Sequence, residues 1–242
     1  MADLVYRSVM HDIKQKILKK QYPGMRLPDE RTLSENYGVS RSSIKRALGV
    51  LAQQGIIFKK RGSGTFINPL YLKNQSLFHY EGNNLGVTDS FQLDGKKQSI
   101  KLLDYQVIPA SADIREELFL NDNEFVYQIK RLRLIDKQPF MIETGFIPIK
   151  IVPTLSPAIV DSSIFNYLEK NKGKRVTKSF MTISVAPSNQ QDRSLLKLGS
   201  TEPVGIMGGV FFLDDGTPFE VSNMRIHYRY MKYSTFVNLN RK

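Results

Sequence analysis

The chain has 242 residues, 41% hydrophobic and 24% charged, with a formal net charge of +12. That is room for one large domain or two ordinary ones, each with a proper core. It has no cysteine, which excludes disulfides, thiol catalysis and cysteine metal sites.

No apolar run is long enough to span a bilayer, and the opening residues lack a basic region followed by an apolar one. A soluble cytoplasmic protein without a membrane partner is expected. The charge is uneven. Residues 1–75 hold 14 Lys and Arg against 5 Asp and Glu, a balance of +9, whereas the remainder holds 21 against 18, a balance of +3. Such a contrast points to a polyanion partner for the first part, or to a solubilising basic surface.

In chain order, Val5, Val9, Ile13 and Ile17 form one helical stripe, which Tyr22-Pro23-Gly24 terminates. A second helix spans Arg31 to Tyr37, with Asp29 and Glu30 near its positive end. Gly38 makes a turn and Ser40 caps a third helix running to about Gln54. That helix turns Ile44, Ala47, Leu48 and Leu51 inward and leaves Arg41, Ser42 and Lys45 outside near its start. Ile56–Phe58 and Thr65–Ile67 then flank the basic, glycine-rich tip Lys59-Lys60-Arg61-Gly62-Ser63-Gly64, a β-hairpin pattern.

This order is that of a winged helix-turn-helix. A helix fits the major groove and presents its N-terminal residues to base edges, while a tip bare at Gly62 and Gly64 approaches the phosphates closely. The rival is a three-helix module whose basic face is merely solvated. Tyr22–Arg31, Gly38–Leu48 and Arg61–Phe66 resemble the N-terminal domain of GntR-type regulators over residues 4–67. Lys59, Lys60 and Arg61 neutralise phosphates at the hairpin tip, and the resemblance implies DNA contacts from Arg31, Ser40, Arg41, Ser42 and Lys45, with Gly62 and Ser63 at the wing. Lys45 stands where the family usually has Arg, so a point-charge phosphate contact replaces bidentate guanine readout.

The expected organisation is a winged helix-turn-helix over 1–67, a Pro69-containing linker over 68–77, and a second domain over 78–242. In the latter, strands are expected at 100–108, 124–135, 140–148, 176–186, 204–213, 219–228 and near 235–239. Helices are expected at 112–120, 163–170 and 190–198, capped at Ser162 and at Ser188-Asn189 and with Gly199 ending the last. The fold class is α+β, a mainly antiparallel sheet with helices on one side. Two hairpins look alike, Arg131–Phe140 followed by Glu143 and Val210–Phe219 followed by Glu220; duplication and ordinary turn chemistry are equal readings.

Arg131 and Arg133 are two apart on a strand and share a face, a pairing suited to phosphate or carboxylate. A hairpin loop of Asp136–Gln138 puts Arg131 opposite Glu143. Such a group also forms cross-strand ion pairs that need no ligand. Residues 78–240 resemble the UTRA effector domain of the HutC branch of the GntR family, through the two hairpins, Ser162–Leu168 and the run to Tyr228. This implies a chorismate-lyase-like fold in which the hairpin arginines hold an anionic effector. Ser163 at a helix start is an anion site or simply a cap. Ser90, in a Thr-Ser-Phe-like element interrupted by Asp89, is a further phosphate contact. Glu220 and Ser222 receive sugar hydroxyls, and Tyr167, Tyr228 and Tyr230 wall the site or pack in the core.

His11, His79 and His227 lack metal-ligand spacing, and no phosphate loop, dinucleotide fingerprint or nucleophile–base pair is present. No metal and no cofactor is expected. The combined expectation is a homodimeric repressor of a palindromic double-stranded operator, released by a small anion such as a sugar phosphate. Its rivals are a chorismate-lyase-like enzyme acting on a small carboxylate and an effector-independent DNA-binding protein.

Overall fold

The computed structural model describes residues 2–73, 97–234 and 236. They fall into two compact units, Met1–Gln75 with Ser234–Lys242 and Ser76–Tyr233.

In the first unit, helix α1 (Ala2–Leu18) buries Val9, Ile13 and Ile17, while Val5 is exposed and Tyr6 takes its place in the core. A four-residue spacing drifts about 40° per step around a helix of 3.6 residues per turn, so the stripe's first member has rotated out. Helix α2 (Glu30–Tyr37) starts at Asp29, whose carboxylate accepts from Thr32 N at 2.8 Å, and ends at Gly38, whose φ of 61° is one that glycine adopts freely. Helix α3 (Arg41–Gln53) starts at Ser40, whose Oγ accepts from Ser43 N at 3.2 Å. Its Ile44, Ala47, Leu48 and Leu51 are buried against α1 and Leu33 of α2.

The wing has one strand more than expected. β1 (Arg26–Leu27) pairs with β3 (Gly64–Ile67), which pairs with β2 (Ile57–Lys60). Two residues carry no periodicity by which to recognise a strand. The linker also differs, because α4 (Pro69–Lys73) is helical. Pro69 occupies the first helical turn, where its missing N–H costs nothing. Asn68 anchors this helix by accepting from Leu70 N and donating to Gly55 O. The ring of Phe236 also lies against Gly55, leaving no room there for a Cβ.

The second unit is a six-stranded antiparallel sheet in the order β4 (Gln98–Pro109), β5 (Phe125–Ile135), β6 (Gln138–Pro148), β9 (Pro218–His227), β8 (Pro203–Leu213), β7 (Val176–Pro187). A helix follows the first strand of each half, α5 (Ala112–Leu118) after β4 and α8 (Gln190–Leu196) after β7. A strand–helix–hairpin unit therefore occurs twice, with its last strands, β6 and β9, paired at the centre. That arrangement favours duplication over coincident turn chemistry. The strand expected near 235–239 lies, apart from Phe236, outside the described residues.

The helices cover both faces, not one. α5 packs with Val126, Phe146 and Val221, and α8 with Leu132 and Ile142, all on one face. On the other, α6 (Pro157–Val160) and α7 (Ile164–Lys172) close the main core over Tyr127, Ile129, Met141 and Met224. The segment joining the halves crosses over, so alternate residues of the central strands are buried on both sides. α7 is capped by Ser163 rather than Ser162, and α8 by a capping box of Asn189 and Asp192, ending at Lys197 before Gly199.

Candidate functional site

The first unit presents its candidate DNA contacts at its surface. Arg41, Ser42 and Lys45 are exposed over the first turns of α3. Ser40 serves its cap and also lies 2.8 Å and 2.9 Å from the hydroxyls of Ser42 and Ser43, clustering three hydroxyls at the positive end of the helix. Arg31 is exposed on α2, with its Nε 3.9 Å from Glu35. In the wing turn Arg61 and Gly62 are exposed and Ser63 is half-buried. Lys59 is committed elsewhere, its Nζ pairing with Glu30 at 2.7 Å and tying the wing to α2. Arg26 was missed by sequence reasoning: exposed on β1, it lies over the Phe66 ring and beside Gly64 at the base of the wing.

The second unit hides its candidate site. Arg131 (4% exposed), Arg133 (4%), Glu143 (5%), Glu220 (2%) and Ser222 (2%) all lie inside the sheet domain. Arg131 is directly opposite Glu143. The hairpin reaches that register by another route than expected. Its loop has two residues, Asp136 and Lys137, both in left-handed conformation, and a bulge at Arg133/Leu134 supplies the missing offset.

Glu143 Oε2 accepts from Arg131 Nη2 at 2.7 Å and from Arg133 Nη2 and Nε at 2.9 Å each. Arg131 Nη1 donates to the carbonyls of Val160 and Ser162 at 3.2 and 3.3 Å, which brings the start of α7 over the cluster. Ser163 is therefore near the arginines, although its hydroxyl serves Asn166 N. Burial alone would raise the Glu143 carboxyl; the charges of Arg131 and Arg133, with their hydrogen bonds, instead hold it well below the usual carboxylate range.

Glu220 behaves oppositely. It forms no ion pair or hydrogen bond with any described residue. Burial, and then the nearby negative charge of Glu143, push its carboxyl up to about 8. Arg131 Nε and Ser222 Oγ are likewise buried without a hydrogen-bond partner. Ser222 lies between two residues with no side chain, Gly145 on β6 and Gly209 on β8. A Cβ on Gly145 would fall 2.4 Å from Glu220 Oε1. Glycines inside strands signal a close approach, a cue available at Gly145 and Gly209 but unread. Buried donors without a partner, Arg131 Nε and Ser222 Oγ, thus lie at a cluster bordered by bare backbone.

Tyr167 packs on the same core and Tyr230 meets Phe140 there. Tyr228 is not brought to the cluster. Its hydroxyl donates to Glu202 at 2.7 Å and its ring packs beside Leu196 and Leu198 on the opposite face. β9 ends at His227 and the chain enters a 3-10 turn, so the alternation that groups Glu220 with Ser222 stops before Tyr228. Ser90 lies outside the described residues. Among those residues no group of side chains could hold a metal, and no helix is long and apolar enough to cross a membrane.

A winged helix-turn-helix joined in one chain to a sheet domain with a buried charged cluster fits the architecture of a ligand-responsive DNA-binding transcription regulator. Residues 5–67 match the bacterial regulatory proteins of the gntR family, and residues 94–232 match the UTRA domain. The chain is 28% identical to the HTH-type transcriptional regulator GmuR of Bacillus subtilis over 238 residues, 98% of this chain and 99% of that protein. It is 26% identical to MngR, the mannosyl-D-glycerate transport/metabolism system repressor of Escherichia coli, over 90% of this chain and 89% of that protein. Among solved structures, the possible regulator YydK of Bacillus subtilis superposes with a TM-score of 0.79 at 26% identity, covering 97% of this chain and 99% of that one. The protein belongs to the GntR family of transcription regulators, in the group that carries a UTRA domain. It is a regulator and not an enzyme.

Proposed function

We propose that the protein is a homodimeric repressor of a palindromic operator, released when a small anionic effector, a sugar phosphate among the candidates, binds the buried arginine cluster. Residues 1–67 read DNA and the sheet domain senses and dimerises; the division expected at 78–242 is shortened at its end, because Ser234–Lys242 belongs to the first unit. The observation that carries the sensing role is the pair of orphaned donors at that cluster, Arg131 Nε and Ser222 Oγ, beside the buried Glu220. Most buried polar groups in folded proteins find a partner, so these two mark the cluster as a place a ligand can complete. Arg131 and Arg133 supply positive charge for the anion, while Glu220 and Ser222 suit hydroxyls.

Dimerisation is supported by β7. This edge strand exposes Phe180 and Val185 and carries no charge from Ser179 to Pro187, in a chain of net charge +12. Edge strands normally carry charges that discourage pairing, and a second copy can approach where like charge is absent. Dimers place two recognition helices in successive major grooves, about 34–36 Å apart.

The test is operator release. DNA from the gene's own neighbourhood should bind the protein, and a panel of sugar phosphates should contain one that releases it. An operator complex indifferent to a broad anionic panel would contradict the sensing role.

A further inference from the structure

Two carboxyl groups occupy the same buried face, on adjacent strands, within reach of the same two arginines, and they are treated differently. Glu143 on β6 takes both guanidiniums on one oxygen. Glu220 on β9 takes neither, and its Oε1 rests over Gly145. The surroundings of Glu220 can be enumerated among the described residues. β5 contributes Arg131 and Arg133, and β6 contributes Glu143 and Gly145. β8 places Phe211 and Gly209 opposite Glu220 and Ser222, neither of them charged. The junction of α6 and α7 contributes the Val160 and Ser162 carbonyls, both turned to Arg131.

Among the described residues, the charge of the cluster is therefore set by one proton. With Glu220 neutral, two guanidiniums face one carboxylate and the cluster carries one net positive charge. With Glu220 ionised, two carboxylates balance two arginines and nothing attracts an anion. A buried anion without a compensating charge is costly.

We propose that effector binding at this cluster is proton-linked: an anion is held beside Arg131 while Glu220 carries its proton, and ionisation of Glu220 expels it. This rests on the reading that the cluster is the effector site. It adds that the neutral carboxyl donates a hydrogen bond to the ligand, and that operator release weakens as the solution turns alkaline. The sign follows from linkage. A bound anion makes Glu220 harder to ionise, so binding takes up a proton wherever the free protein has lost it. Affinity falls with rising pH over that interval, by up to about tenfold per pH unit for one proton.

Sulfate is a suitable probe, because its charge does not change over the range used. Its binding to the full chain would be measured by titration calorimetry at about pH 6.5 and about pH 9, in buffers of different ionisation enthalpy, for wild type and Glu220→Gln. The proposal expects saturable binding at the lower pH, at least about fivefold weaker binding at the higher, and net proton uptake near pH 8. Glu220→Gln, isosteric with the protonated acid, should bind at both pH values with the pH dependence removed. Equal affinity at both pH values with no proton uptake in wild type overturns the proposal, and does so whether or not the variant folds. Wild-type pH dependence persisting in Glu220→Gln overturns it as well. Failure of wild type to bind sulfate at the lower pH removes the anion-site reading itself, a different failure from pH-independent binding.

Discussion

The two units arrange their polar chemistry in opposite ways. In the first, the core is built from residues such as Ile13, Ile44, Leu48 and Leu51, and the groups proposed to meet DNA stand outside it on α3 and the wing. In the second, charged groups are part of the interior, with Arg131, Arg133, Glu143 and Glu220 set among Ile129, Met141 and Met224. DNA is a large external polyanion that comes to a surface. A small effector has to be surrounded, and a recess that surrounds it takes its polar groups out of water. Binding and stability are therefore separable in the head and entangled in the sheet.

The largest expected effect breaks the sheet domain. Glu143→Ala leaves two buried guanidiniums without their carboxylate and should cost about 3–5 kcal/mol in a denaturant titration. Because Glu143 is held below its ordinary value of 4.5, it contributes stability above that pH, which is lost as pH falls through the lowered folded value. The acid limb of the wild-type stability profile should therefore be steeper than that of Glu143→Gln.

Next in size is the head. Arg41→Ala should weaken operator binding by about 1–3 kcal/mol, roughly ten- to a hundredfold, with no change in melting temperature. A fall in both would mean that the head is not separable after all. Gly145→Ala is intermediate, because the new methyl meets the Glu220 carboxyl. It should cost about 1–3 kcal/mol of stability by overpacking and blunt the response to effector, leaving operator affinity intact.

Legibility followed the same division. The head's plan was readable because each device is local. Asp29 and Ser40 cap helices, Gly38 turns the chain, and the wing follows α3 directly. What escaped there, β1 and α4, was too short for periodicity or hidden by a proline that belonged inside a helix. In the sheet domain the grouping of Arg131, Arg133 and Glu143 followed from the two-residue repeat of a strand, and the bulge and shorter loop compensated each other. The repeat failed at Tyr228, where the strand had ended. The covering of both faces and the glycines flanking Ser222 depend on which distant strands pair, information absent from any local window.

The most direct test uses the smallest change. Ser222 Oγ has no partner, so Ser222→Ala removes nothing that holds the fold. With a releasing sugar phosphate in hand, operator release would be titrated by fluorescence anisotropy in wild type and variant. If the recess is the effector site, half-release should require roughly two- to tenfold more effector, the equivalent of about 0.5–1.5 kcal/mol for one hydrogen bond, at unchanged melting temperature and effector-free operator affinity. Identical release curves for the two proteins would place the effector somewhere other than the arginine cluster.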